Sequence, residues 1–300
     1  MKRELIAWRS LCRGGFVFVC AFLSLSLLAP AQAVTATSGI VFVHGTGKQT
    51  DAYNDYWQKT MVDKVRAGLP NTSNFVVINC DFTQYWWHPD AAGCLAQQTT
   101  NFINSRGITD LYVITHSNGG NVVRWVMSNP TYDSRYPAII SKIRNVTALA
   151  PSSAGTPLAN AAINGNVFES SVGWLLGYKS DAVRQQQTDW MAYYNANNLY
   201  GTSGRPALPK PFKAVVGTDL YGGFWNSNAY CAGYFENAGL SVTRLWLSSC
   251  ADGFLECRSQ NAAGSVWFND TQRTSGGRYL SHNQSRRDCF ALPELIKNDL

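Results

Sequence analysis

The sequence lacks several features that would place it in other classes of protein. After residue 33, no apolar run approaches the length of about 20 residues that a membrane-spanning helix needs. No internal repeat, low-complexity tract or C-x-x-C pair occurs, and the four histidines are scattered along the chain. Thiol pairs and nearby histidines are the usual ligands of structural zinc. These absences argue against a membrane-spanning protein, a repeat protein and a zinc protein.

The first 33 residues have the pattern of an export signal. Basic residues come first, the apolar run GFVFVCAFLSLSLLA begins at Gly15, and Ala31-Gln32-Ala33 forms an A-x-A cleavage site. The run is too short for the alternative, a membrane anchor. We therefore expect cleavage after Ala33, a secreted or periplasmic location, and a single domain over residues 34–300.

The charge of the chain is modest once this segment is removed. The net charge is +6, and the signal holds four basic residues and one acidic residue, so +3 remains on the other 267 residues. A balance this close to neutral predicts no nucleic-acid partner.

Six cysteines remain after the signal, and an even number in an exported chain indicates disulfides. The sequence alone does not choose among the many ways of pairing them. We expect neighbours along the chain to pair, which gives Cys80 with Cys94, Cys231 with Cys250, and Cys257 with Cys289.

Short apolar runs alternate with helical patterns over most of the chain. Runs rich in β-branched residues predict strands buried on both faces of a parallel sheet. Tyr53, Trp57, Met61 and Val65 lie four residues apart and predict one amphipathic helix, and residues 121–127 predict another. This alternation predicts an α/β fold, with a mostly parallel central sheet flanked by helices. The predicted strands are GIVFVHG (39–45), FVVINC (75–80), LYVITHS (111–117), NVTALAP (145–151) and FKAVVGT (212–218).

Ser117 stands where the third predicted strand meets a glycine turn, in LYVITHSNGG. A catalytic serine at such a turn usually lies in G-x-S-x-G, in which small residues permit a strained backbone. Gly119 supplies the second glycine, and Thr115 stands in place of the first. Ligands of open α/β sheets bind beyond the carboxyl ends of the strands, so the position of Ser117 indicates a site.

The sequence resembles the α/β-hydrolase superfamily and, within it, secreted bacterial lipases and esterases. The resemblance rests on five motifs in order: VFVHGTG, THSNGG, APSSAGTPLA, ADGFLECRS and LSHNQ, which together span about 250 residues. It implies a catalytic triad in the order Ser117, Asp252, His282. It also implies an oxyanion hole formed by the backbone N–H groups of Thr46 and Asn118.

The resemblance implies hydrolysis of a carboxylic ester through an acyl-enzyme, without a cofactor. Asp219 remains an alternative acid, because it directly follows the predicted strand FKAVVGT. Related lipases often bind calcium through an aspartate two residues after the histidine. Gln284 occupies that position here, so no metal is expected.

Other polar and aromatic residues near these motifs are expected to be structural. His44 precedes the oxyanion loop, and His116 is expected to point away from the site beside the serine. Trp86-Trp87-His88 is assigned to packing, with an acyl or sugar pocket as the alternative.

Residues 159–204 are too many for a simple connection. They hold two helical stretches, the second after Ser180, with Val183, Trp190, Met191 and Tyr194 on one face. This helical insertion is either a lid or pocket wall over the active-site rim, or an ordinary crossover that covers the sheet. The expected partner is a small-molecule or lipid ester, with transient contact with a membrane or lipid surface. Phospholipase, acyltransferase and non-enzymatic binding functions stay open, as does the oligomeric state.

Overall fold

A parallel six-stranded sheet forms the centre of the protein. The computed structural model describes residues 36–164, 179–219, 242–270 and 280–300. The strands run in the order β2-β1-β3-β4-β5-β6, and every neighbouring pair is parallel. The predicted α/β class with a mostly parallel sheet is therefore confirmed. The strands are β1 (Ser38–Val43), β2 (Phe75–Val77), β3 (Asp110–His116), β4 (Ile143–Leu149), β5 (Phe212–Val216) and β6 (Ser265–Asn269).

All five predicted strands are present, and β6 is the strand that the sequence analysis does not predict. β6 lies at the edge of the sheet. Its first residues are exposed and burial comes only towards its end: Val266 is exposed and Phe268 is buried. A short, half-exposed edge strand gives no continuous apolar run.

Helices cover the sheet. Those of the described residues are α1 (Ala52–Asp55), α2 (Lys59–Arg66), α3 (Cys94–Arg106), α4 (Gly119–Ser128), α5 (Tyr136–Lys142), α6 (Pro157–Asn164), α7 (Asp181–Gln185), α8 (Thr188–Asn197), α9 (Cys257–Gln260) and α10 (Leu292–Lys297). A π-helical turn at Pro89–Gly93 and 3-10 turns at Val242–Leu245 and Gln284–Arg286 add to them. No helix in the described part of the chain is long and apolar enough to cross a membrane.

The predicted helix through Tyr53 and Val65 is instead two helices, α1 and α2. The backbone N–H groups of Tyr56 and Trp57 both donate to the carbonyl of Ala52, which closes α1 after one turn. Trp57 then packs its ring against Phe42 on β1 at 5.5 Å. Contacts between these aromatic rings and the sheet therefore override the helical spacing.

The core lies on both faces of the sheet, as the apolar strands predict. Alternate residues of β1 belong to different clusters: Val41 and Val43 pack on one face, and Ile40 and Phe42 on the other. Burial of each such side chain contributes about 1.5–3 kcal/mol, so both layers of helices are firmly attached. The loops at the carboxyl ends of the strands are thereby held on a rigid base.

One of the expected disulfides is present and two are wrong. Cys80 is bonded to Cys94 as expected, but Cys250 is bonded to Cys257, so neither Cys231 nor Cys289 can pair as proposed. An antiparallel bridge between Ala251 and Glu256 folds the chain back and brings Cα of Cys250 and Cα of Cys257 within 5.4 Å. Cys289 is also disulfide-bonded. Cys231 and the predicted signal at residues 1–33 lie outside the described residues.

The second helical stretch predicted within residues 159–204 is also two helices, α7 and α8. The Ser180 side chain caps α7 by accepting from the N–H of Val183. Val183 and Met191 are buried in different helices, and Trp190 is exposed. Residues 165–178 of this insertion lie outside the described residues.

Candidate active site

Ser117 occupies a strained turn between β3 and α4. Its φ is +54°, a left-handed value that non-glycine residues seldom adopt and that is typical of strained functional turns. Its N–H donates to the Leu149 carbonyl at the end of β4, at 2.9 Å. A Cβ at Gly119 would lie 2.2 Å from the carbonyl oxygen of His44. A glycine is therefore required where α4 presses against the end of β1.

Thr115 fits where the usual motif has its first glycine. Its side chain is buried, and its Oγ1 would lie 3.4 Å from a Cβ placed on Gly120. The threonine thus packs beneath the start of α4, next to the last glycine of THSNGG.

The structure brings Asp252 and His282 together. Oδ2 of Asp252 lies 2.8 Å from Nδ1 of His282, and the backbone N–H groups of Phe254 and Leu255 donate to Oδ1 at 2.9 and 2.7 Å. Asp252 is fully buried, and His282 is 5% exposed. The Phe254 ring stacks on the His282 ring with centroids 4.7 Å apart. The imidazole is thus held on one edge and one face.

Asp219 does not hold this position. It is buried just beyond the end of β5, and its backbone N–H donates to the carbonyl of Leu280 at 3.1 Å. Of the two candidate acids, Asp252 is the one that the structure pairs with His282.

His282 lies near the turn that bears Ser117, because it contacts the neighbouring His116. The two imidazole rings are 4.6 Å apart between centroids, and Nε2 of His116 lies 3.0 Å from the carbonyl oxygen of His282. The expectation that His116 points away from the site is therefore wrong, because its ring reaches under the histidine loop. The sequence does not indicate this contact, because the two residues are 166 positions apart.

The oxyanion loop follows β1, and His44 fixes its conformation. Nδ1 of His44 lies 2.8 Å from the Gly45 carbonyl oxygen, and the N–H of Cys80 donates to its Nε2 at 3.4 Å. Burial lowers the pKa of His44 to about 4, so the ring is neutral and Nδ1 donates. A trans peptide directs its C=O and N–H to opposite sides. Holding the Gly45 carbonyl on His44 therefore aims the Thr46 N–H away from His44.

The backbone N–H of Asn118 is the second of the two expected oxyanion donors. Asn118 is the N-cap of α4, where backbone N–H groups have no intrahelical acceptor and the helix dipole favours negative charge. Its side-chain Oδ1 accepts from Nε1 of Trp86 at 2.9 Å and from Nε2 of Gln186 at 2.7 Å. These two anchors of Asn118 are not predicted by the sequence analysis.

Trp86 therefore positions Asn118 in addition to packing in the core. It is fully buried, in agreement with the packing assignment, and its indole N–H holds the residue that follows Ser117. Trp87 lines a separate surface cavity of about 650 Å³, together with residues that include Tyr132 and Arg135.

The described residues contain no group of three His, Cys, Asp or Glu side chains arranged to hold a metal ion. Gln284, at the position where related lipases carry a calcium ligand, accepts from the N–H of Ser281 at 2.9 Å. Its side-chain oxygen is thus used to shape the histidine loop.

The overall structure is similar to solved structures of lipases and an esterase. The mature form of lipase BlEst2 from Bacillus licheniformis matches over 87% of this chain and 91% of its own, with a TM-score of 0.64 and 17% identity. Its propeptide form matches with a TM-score of 0.57 and 18% identity, and 51% of that longer chain is covered. The metagenomic carboxyl esterase MGS0156 matches over 89% of this chain and 77% of its own, with a TM-score of 0.50 and 12% identity.

No protein-family model and no curated protein matches the sequence. Similarity at identities of 12–18% establishes the fold alone, because proteins with unrelated activities can share one fold. Together with the parallel sheet and the strand-to-helix turn at Ser117, these matches show that the chain has an α/β-hydrolase fold like that of lipases and esterases.

Proposed function

We propose that this protein is a serine hydrolase that cleaves carboxylic esters. The observation that carries the proposal is the buried Asp252–His282 pair, 2.8 Å apart, next to the strained turn that bears Ser117. A carboxylate bonded to Nδ1 holds a histidine in the tautomer whose Nε2 accepts a proton. That arrangement supports His282 as the base for a serine nucleophile.

In the proposed mechanism, the Ser117 hydroxyl attacks the ester carbonyl carbon while His282 takes its proton. The N–H groups of Thr46 and Asn118 bind the oxyanion, and each such donor lowers the barrier by about 3 kcal/mol. His282 then gives the proton to the leaving alcohol, which leaves an acyl-enzyme. Water then attacks the acyl carbon while His282 takes its proton. The bond to the Ser117 oxygen breaks, His282 returns the proton to that oxygen, and the acid product leaves.

The substrate is proposed to be a small-molecule or lipid ester. The solved structures with this fold include a lipase and a carboxyl esterase, which is consistent with an ester and leaves the acyl length open. A phospholipase or an acyltransferase would use the same groups. For the insertion, the hydrogen bond from Gln186 to Asn118 supports a pocket wall, because that part is tied to the nucleophile helix.

We propose that the protein is exported and that residues 1–33 are removed. The disulfides at Cys80–Cys94 and Cys250–Cys257 support an oxidising compartment, since such bonds are rare in the cytosol. Intact mass of the secreted protein tests this proposal. It predicts a chain that begins at Val34 and has a mass below that of the fully reduced form.

A panel of p-nitrophenyl esters of increasing acyl length tests the activity. The proposal predicts turnover by the wild-type protein and none above background by Ser117→Ala. A non-enzymatic binding protein with the same fold would show no turnover with any ester and no difference between the two proteins.

A further inference from the structure

Two side chains, the half-buried Tyr56 and the buried His116, connect the oxyanion loop to the histidine loop. The Tyr56 hydroxyl lies 2.5 Å from Nδ1 of His116, and Nε2 of His116 lies 3.0 Å from the carbonyl oxygen of His282. The same tyrosine hydroxyl lies close against the backbone of Gly45. The series therefore runs from Gly45, through Tyr56 and His116, to His282.

The direction of each hydrogen bond follows from the last acceptor. A carbonyl oxygen can only accept, so Nε2 of His116 carries a proton and donates to His282. In a neutral imidazole the other nitrogen is then an acceptor, so the Tyr56 hydroxyl donates to Nδ1.

The groups around His116 keep its ring neutral and so preserve the direction of these hydrogen bonds. Burial holds the pKa of His116 well below its usual value, and the nearby charges of His282 and Arg286 lower it further. The Arg286 guanidinium lies 4.4 Å from the centre of the Tyr56 ring and also donates to the Tyr56 carbonyl. His116 therefore stays neutral while the catalytic histidine gains and loses its proton.

The fit at Gly45 shows how closely these parts approach. A Cβ on Gly45 would lie 2.5 Å from the Tyr56 hydroxyl and 3.0 Å from Cβ of Ser117. The Tyr56 hydroxyl, the Gly45 backbone and the Ser117 side chain are thus packed closely together. A shift of one of them would therefore displace the others.

We infer that Tyr56 and His116 are positioning residues that fix the His282 loop and the oxyanion loop relative to Ser117. The inference rests on the proposed function and extends it to two side chains that take no part in the triad. Catalysis depends on this geometry, because a displacement of about 1 Å can cost 100-fold in rate. Neither residue needs to touch the substrate.

The test compares kcat and KM for a soluble p-nitrophenyl ester in matched variants. Tyr56→Phe removes only the hydroxyl, and His116→Phe replaces the imidazole by a somewhat larger ring without nitrogen atoms. Both break the connection, and we expect a fall of about 10- to 100-fold in kcat with little change in KM. Tyr53→Phe is the control, because the Tyr53 hydroxyl donates to Asp63 at 3.1 Å instead, and it should match the wild type. His116→Gln retains a donor for the His282 carbonyl and should recover part of the loss. Wild-type kcat in both phenylalanine variants would overturn the inference.

A second measurement does not depend on activity. With only four histidines in the chain, ¹⁵N NMR can assign each tautomer by single substitution. We expect His116 to be the Nε2–H tautomer, His44 the opposite one, and the His116 Nδ1 resonance to shift in Tyr56→Phe. A His116 ring protonated at Nδ1 contradicts the inference even if the phenylalanine variants fail to fold. If no ester is cleaved while this tautomer is found, the proposed function fails and the hydrogen-bonded connection stands.

Discussion

Asp252 and His282 are joined twice. Oδ2 of Asp252 lies 2.8 Å from Nδ1 of His282, and the backbone N–H of His282 donates to the Asp252 carbonyl, also at 2.8 Å. The backbone bond holds the two loops together independently of the side chains. Removing the Asp252 carboxylate should therefore lower the catalytic rate strongly and leave the fold intact.

Asp252→Asn should lower kcat by about 10⁴-fold, because the amide no longer favours the tautomer in which Nε2 of His282 accepts the serine proton. Steady-state kinetics with a soluble ester checks this. Thermal unfolding of the variant should show that the fold is retained.

Asp219→Asn is the matched control, since Asp219 is a second buried carboxylate near the same loops. It should retain much more activity than Asp252→Asn. The reverse order of activity would mean that the acid is Asp219.

Gly119→Ala should destabilise the protein by about 3 kcal/mol or more, because the new Cβ would lie 2.2 Å from the His44 carbonyl oxygen. Gly107→Ala provides the comparison. Gly107 has a φ of +62° but open space around its Cβ position, so only backbone strain of about 1 kcal/mol is expected. Urea unfolding measures both, and equal losses would show that the turn is not tightly packed against β1.

The strands and the Ser117 turn are predictable from the sequence because their signals are local. The apolar runs of β1 and β3 and the glycines after Ser117 are each contained in a few residues. Tyr56 and His116, in contrast, meet across 60 positions. No local pattern marks that contact, and the break between α1 and α2 that allows it arises from packing against the sheet.

The disulfide pattern gives a third prediction. Peptide mapping under non-reducing conditions should recover one peptide pair linked through Cys80 and Cys94 and another through Cys250 and Cys257. A peptide that links Cys250 to Cys231 would contradict the structure.

The two disulfides should also differ in effect. Replacing Cys80 and Cys94 by serine opens a loop with a sequence separation of 14 residues and should cost about 3 kcal/mol of stability. Replacing Cys250 and Cys257 frees the segment that carries Asp252, so kcat should fall as well. Equal kcat in the two double variants would show that this disulfide does not position the acid.

Stability should fall as the pH is lowered from about 6.5 to about 4. Burial lowers the pKa of His44 from 6.5 to about 4, so the unfolded chain binds a proton in this range before the folded chain does. The free energy of unfolding therefore decreases with falling pH, by about 3 kcal/mol for this residue. Urea unfolding at a series of pH values measures the slope.

His44→Asn retains a donor for the Gly45 carbonyl but cannot titrate, so its stability should fall less steeply over the same range. If the stability of His44→Asn falls as steeply with pH as that of the wild type, His44 is not the source of the pH dependence.

The mass of the protein after reaction with a fluorophosphonate tests most directly whether Ser117 is the nucleophile. This reagent forms a bond only with an activated serine. We expect one adduct per molecule, located on Ser117 by peptide mapping, and none on Ser117→Ala. Asp252→Asn should react much more slowly. An unmodified wild-type protein, or equal labelling of wild type and Ser117→Ala, would contradict the assignment of Ser117 as the nucleophile.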